Sequence, residues 1–110
     1  MKRRIQSNWQ DKSDKFVVNL NYTWAEENIF GPLATAIREK FLPKYKTFQF
    51  DLDDLRTSRV GAYCDVNLYV QGKLRGEYEF RFVAFEEYDS TEDFMKDIKD
   101  TIQEFVSVLK

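Results

Sequence analysis

Carboxylates are the only abundant side chains in this 110-residue chain that could carry out catalysis or hold an ion. Asp51 and Asp53 stand two apart with Asp54 adjacent, a spacing that can offer hard oxygens to a divalent cation. No glycine fills the sixth position of a calcium-type loop here, and Asp-rich strand ends are ordinary turn chemistry. Asp65, Glu77 and Glu79 form a second group, predicted on the open face of a sheet. A carboxyl of raised pKa there would suit acid–base work of the glycosidase kind. An antiparallel sheet with one solvated face carries such residues by default, however, and Arg81 is available to pair with one of them. The expectation is no catalytic residue, no metal ligand and no cofactor, in a protein that is not an enzyme.

Other chemistries are removed by counting. The chain has no histidine, so Ser-His, Cys-His and His-metal arrangements are excluded. The single cysteine, Cys64, cannot form an internal disulfide or a cysteine-type zinc site, which fits a reducing compartment. It falls between Ala62 and Val66 on the apolar side of a predicted strand, where it acts as a small packed hydrophobe. Gly72-Lys73-Leu74-Arg75-Gly76 has neither Walker spacing nor a following helix, and reads as a hairpin loop. Met1-Lys2-Arg3-Arg4 is followed by polar residues rather than an apolar signal region, and no apolar run approaches ~18 residues. A cytoplasmic protein with no membrane partner is expected, and the sequon Asn21-Tyr22-Thr23 then stays unmodified.

The elements that position these groups follow from periodicity. Residues 1–15 read as a polar N-terminal tail with only Ile5 and Trp9 as large apolar groups, and residues 16–110 as a single α+β domain. Phe16, Val18, Leu20, Tyr22 and Trp24 alternate with smaller or polar residues, which predicts a first strand. Ile29, Leu33, Ile37 and Phe41 recur every four residues behind Gly31-Pro32, predicting a helix over about 32–41, with a kinked turn at 25–30. Phe48, Phe50 and Leu52 give a short strand before a polar loop from Asp53 to Arg59. Val60, Ala62, Cys64, Val66, Leu68 and Val70 line one face of the next strand, and Tyr78, Phe80, Phe82 and Ala84 one face of the last. Ser90 caps a C-terminal helix whose stripe is Phe94, Ile98, Ile102, Phe105 and Leu109. The order β-α-β-β-β-α predicts a two-layer sandwich, a four-stranded, mainly antiparallel sheet with both helices packed on one face.

Cross-strand partners must point to the same side of a sheet, which constrains the hairpin after Val70. A two-residue loop would set Leu68 against Glu77 and mix the faces. A three-residue loop over Gly72 to Leu74 pairs Leu68 with Tyr78 and Val66 with Phe80, and on the open side Asp65 with Arg81 and Tyr63 with Val83.

Two surfaces resist a merely solvated reading. Tyr63, Tyr69, Val83 and Phe85 place large apolar groups on the open face, rimmed by Asn67, Asp65, Glu77, Glu79 and Arg81, which suits another protein or a second copy of the chain, so that the protein is a monomer or a homodimer. Covering of that face by Ile5 or Trp9 of the tail is the competing account. The second surface is an acidic strip, Glu86, Glu87, Asp89, Glu92, Asp93, Asp97, Asp100 and Glu104, which is either a solvated helix face or a mimic of nucleic-acid phosphates. The near-neutral sum hides a division: residues 1–45 hold eight basic and five acidic groups, and residues 46–110 nine and fourteen.

The element order resembles that of ribosome-hibernation factors, as does the opening of the last helix with Asp93-Phe94-Met95. The resemblance implies RNA or ribosome binding, for which Lys2, Arg3, Arg4, Lys12 and Lys15, with Arg38, Lys40, Lys44 and Lys46, would supply the positive charge. Those factors are strongly basic on their binding surface, whereas the sheet face and last helix here are acidic. The favoured reading is a small non-enzymatic protein-binding module of inhibitor, immunity or adaptor type, of the kind phages and mobile elements encode. An RNA- or ribosome-associated factor and an acidic nucleic-acid mimic are the alternatives, with nucleic acid the weaker partner.

Overall fold

The computed structural model describes residues 15–110, so the tail reading, with Ile5, Trp9, Lys2, Arg3, Arg4 and Lys12, lies outside the described residues. In chain order the elements are β1 (Phe16–Val17), α1 (Tyr22–Ala25), a π-turn (Glu26–Phe30), α2 (Gly31–Phe41), β2 (Phe48–Thr57), β3 (Gly61–Val70), β4 (Lys73–Val83), β5 (Glu87–Tyr88) and α3 (Thr91–Ser107). The fold is α+β. Its strands form a three-stranded antiparallel sheet in the order β2-β3-β4 and a separate two-stranded pair, β1-β5, in place of the expected four-stranded sheet.

The difference begins at Asn21. Its side chain accepts the Trp24 amide at 2.9 Å and so caps a helix in the middle of the segment predicted as strand. The alternation upstream is real in burial, with Val18 and Leu20 inside and Val17 and Asn19 outside. It is not matched by a ladder. Val18 donates to Glu86 O and Leu20 to Arg59 O, so this stretch bridges two loops and pairs as a strand only at Phe16–Tyr88 and Val17–Glu87. The element order that resembled hibernation factors therefore loses its first long strand.

From Asn21 the chain stays helical to Phe41, passing through the π-turn. Pro32 explains the turn: it lacks an amide for the carbonyl four residues back, and its ring crowds that carbonyl. The Gly31 amide reaches back five residues to Glu26 O, and the Asn28 side chain donates to Trp24 O at 2.9 Å. Ala25, Ile29, Leu33, Ile37 and Phe41 thus share one buried stripe. In α3, the Ser90 hydroxyl accepts the Asp93 amide at 3.1 Å, and Phe94, Ile98, Ile102 and Val106 are buried. Both stripes join Phe48, Ala62, Cys64, Val66, Leu68, Phe80 and Phe82 from one sheet face in a single core. The other sheet face is left open.

Two bulges set the register of that open face. The β3–β4 turn has two residues, with Gln71 at φ 55° and Gly72 at φ 76°, the mirror-image geometry that suits the twist of a hairpin. The mixed-face objection to such a turn is met by one extra residue on β4. Tyr69 pairs with Leu74 and Leu68 with Gly76, which leaves Arg75 unpaired. The rest of the hairpin is then displaced by two residues from the expected pairing, so that Asp65 faces Glu79 and Tyr63 faces Arg81. On β2, Asp54 at φ 53° forms the second bulge, and the strand runs on to Thr57 through what reads in sequence as a polar loop.

Candidate functional site

The register arranges the open face in rows that cross all three strands. At the end nearest the turn are Gln49, Tyr69 and Leu74; next come Asp51, Asn67 and Glu77; then Asp53, Asp65 and Glu79; and last Arg56, Tyr63 and Arg81. Five carboxylates occupy the two middle rows, and four of them, Asp53, Asp65, Glu77 and Glu79, line a shallow depression with Asn67 and Tyr78. Facing like charges in a ladder oppose folding. One cation reaches in: Arg56 Nη2 lies 3.6 Å from Glu79 Oε2, while its Nε donates to Asp54 O at 3.1 Å. Both side chains of that ion pair are about half exposed, so it offsets little.

The predicted apolar anchors fall at opposite ends of the carboxylate block. Tyr63 lies between two guanidinium groups, with Arg56 5.9 Å and Arg81 5.8 Å from its ring centre. Its ring also covers Gly61, where an added Cβ would meet a Tyr63 ring carbon at 2.6 Å. Val83, opposite Gly61 and 55% exposed, and Phe85, 71% exposed, continue this end. Tyr69 stands alone at the other end beside the exposed Leu74. Partial burial raises the Tyr69 pKa, with the charges of Asp51, Glu77 and Asp53 adding to it. Asn67 sits between the two ends, within the acidic rows.

Sequence reasoning missed Asp53 and Arg56 on this face, because it read Asp53 to Arg59 as a loop, and it did not join Asp51 to the carboxylates of β3 and β4, because it set no register between β2 and β3. A signal was present. Leu52, Leu55 and Thr57 resume the alternation one residue out of phase, which is what a single-residue bulge leaves behind.

The acidic strip is divided among local partners. Glu86 meets Arg59 at 3.1 Å, Asp89 meets Lys15 at 2.8 Å, and Asp100 meets Lys96 at 2.7 Å. Asp97 accepts the Tyr88 hydroxyl. Glu87 lies on β5 opposite Val17, while Asp93 sits in the first turn of α3 and Glu104 is exposed near its end. The Lys96 pKa is raised by its bond to Asp100 and by the charges of Asp93 and Asp97. On the basic side, Lys40 Nζ donates to the carbonyls of Val106 at 2.7 Å and Leu109 at 2.8 Å, and Arg38 lies over the Phe50 ring at 5.5 Å. Lys44 and Lys46 are exposed.

Cys64 is fully buried, and burial, with the Asp65 charge adding, pushes its thiol up to about 12. Among the described residues no group of three or more acidic or cysteine side chains is placed to hold a metal ion, and no helix is long and apolar enough to cross a membrane. Comparison with protein families, with curated proteins and with solved structures finds no match for the chain.

Proposed function

We infer that this is a non-enzymatic protein-binding module that docks its open sheet face on a lysine- or arginine-bearing surface of another protein. The observation that carries the reading is the row Asp53–Asp65–Glu79, three carboxylates in direct register with another acidic row alongside. Folding gains nothing from that row, whereas a cationic partner would relieve it and be drawn to it at long range. Tyr63, Val83 and Phe85 at one end and Tyr69 at the other supply desolvatable contact area, with Arg81 and Asn67 as polar contacts. An inhibitor, immunity or adaptor role would act through this surface.

The acidic-mimic reading draws less support, because Arg59 and Lys96 pair with Glu86 and Asp100 and so interrupt the strip of Glu86, Glu87, Asp93, Asp97, Asp100 and Glu104. The RNA- or ribosome-associated reading is weakened by Lys40, whose ammonium is occupied by two carbonyls. Affinity capture from the native cell is the test. A partner should be retained by the wild-type chain and reduced at least tenfold by Asp53→Asn/Asp65→Asn/Glu79→Gln, and by Tyr63→Ala/Tyr69→Ala. Equal recovery with both variants removes this face from the interaction.

A further inference from the structure

We propose that the chain forms a two-fold symmetric homodimer by antiparallel pairing of the outer edge of β2 over residues 48–52. β2 and β4 are the edges of the three-stranded sheet. They are not alike. β4 carries Lys73, Arg75 and a bulge, devices that discourage edge pairing, whereas Phe48-Gln49-Phe50-Asp51-Leu52 carries no lysine, proline or bulge until Asp54.

The backbone groups available there follow from the alternation of an antiparallel ladder. Gln71 turns its amide toward the β2 side, donating to Thr47 Oγ1 at 3.0 Å, and Val60 turns its carbonyl toward the β4 side, accepting from Ala84 at 2.8 Å. Odd-numbered residues of β3 therefore face β2 and meet Gln49, Asp51 and Asp53. Phe50 and Leu52 aim their amides and carbonyls outward, and no described residue takes them, while Phe48 on the same side offers only its carbonyl because its amide bonds Tyr45 O. A groove beside this edge is lined by Arg38, Leu42, Phe48, Phe50 and Tyr69, with Leu42 exposed and Phe50 half-buried.

The side chains select a second copy as the occupant. Placing Phe50 opposite Phe50 of the other copy sets Phe48 against Leu52 on the core side, so that apolar meets apolar throughout. On the open side it sets Gln49 against Asp51, giving each carboxylate a neutral hydrogen-bonding neighbour. Sliding two residues toward the bulge puts Asp51 against Asp51, and sliding the other way sets Asp51 against Thr47, in the turn before β2 begins. The symmetric pairing joins two three-stranded sheets edge to edge.

Sedimentation equilibrium of the full chain from about 10 μM to 1 mM tests this, with circular dichroism confirming folding. The wild type should dimerise with rising concentration. Phe50→Lys, which brings two ammonium groups together at the axis, should weaken association at least tenfold. Gln49→Lys, on an exposed side chain that does not support the core, should tighten it several-fold by facing Asp51, and the gain should vanish in high salt. A chain that stays monomeric throughout overturns the proposal and leaves the edge to a strand of another protein. A dimer indifferent to Gln49→Lys overturns it as well, even where Phe50→Lys fails to fold. The inference stands apart from the acidic-face reading: a dimer that keeps these responses while partner capture fails sinks that reading alone.

Discussion

Asp65 on β3 stands directly opposite Glu79 on β4, one carboxylate facing another across the ladder, with Asp53 on its other side. Folding stability alone does not select this arrangement, since like charges directly opposite one another destabilise a ladder in which a favourable cross-strand pair is worth roughly 0.2–1 kcal/mol. Asp65→Asn keeps the shape and relieves both pairs. It should raise stability by about 1 kcal/mol and the melting temperature by several degrees, while partner capture falls. A melting temperature that drops would show that these carboxylates are held by something other than water and Arg56.

The β3–β4 turn carries a strain that a substitution can release. Gln71 holds φ 55°, a region where asparagine is far more at ease, and Gly72 already follows it. Gln71→Asn should stabilise the chain by roughly 0.5–1 kcal/mol in urea unfolding. The Gln71 amide bond to Thr47 is a backbone contact and survives the change. A loss of stability would mean that the Gln71 side chain does work that the geometry does not reveal.

Lys40 completes the end of a helix to which it does not belong. The last turn of α3 has no basic residue of its own, and the Lys40 ammonium supplies the charge by taking the Val106 and Leu109 carbonyls. Lys40→Met keeps the stem and deletes both bonds, so it should cost about 2 kcal/mol. An exposed lysine serving a phosphate would cost almost nothing to replace, and urea unfolding of the variant separates the two roles.

What the sequence reveals here is periodicity, and what it hides is phase. The alternation of Ala62, Cys64, Val66 and Leu68 places them in the core, and the Ser90 cap and its stripe locate α3, because each pattern is local. The segment from Phe16 to Trp24 misleads for a physical reason: Val18 and Leu20 need burial, but nothing local requires a partner strand, and Asn21 offers a cap instead. The candidate site depends on phase most of all. The bulge at Arg75 exchanges the expected Asp65–Arg81 pair for Asp65–Glu79, and the bulge at Asp54 brings Arg56 beside Tyr63, so the acidic rows and the one cation that reaches them emerge only once both bulges are placed.

Two buried acids make the stability depend on alkaline pH. Burial, with Asp65 adding, raises the Cys64 thiol from 9.0 to about 12; burial, then the bond to Asp97, raises the Tyr88 hydroxyl from 10.0 to about 12. Both folded values lie above the unfolded ones, so the native state keeps protons that the unfolded chain releases. The contribution is therefore complete below pH 9.0 and is lost as pH rises, through Cys64 first and through both groups above 10.0, until about 12. Each group steepens the fall by about 1.4 kcal/mol per pH unit in its window. Urea unfolding from about pH 8 to pH 11 should show a decline that begins near 9 and doubles its slope near 10. Cys64→Ala should start lower, because it leaves a small cavity, but stay level until Tyr88 begins to ionise in the unfolded chain. A wild type as stable at pH 11 as at pH 8 would mean that neither proton is held by the fold.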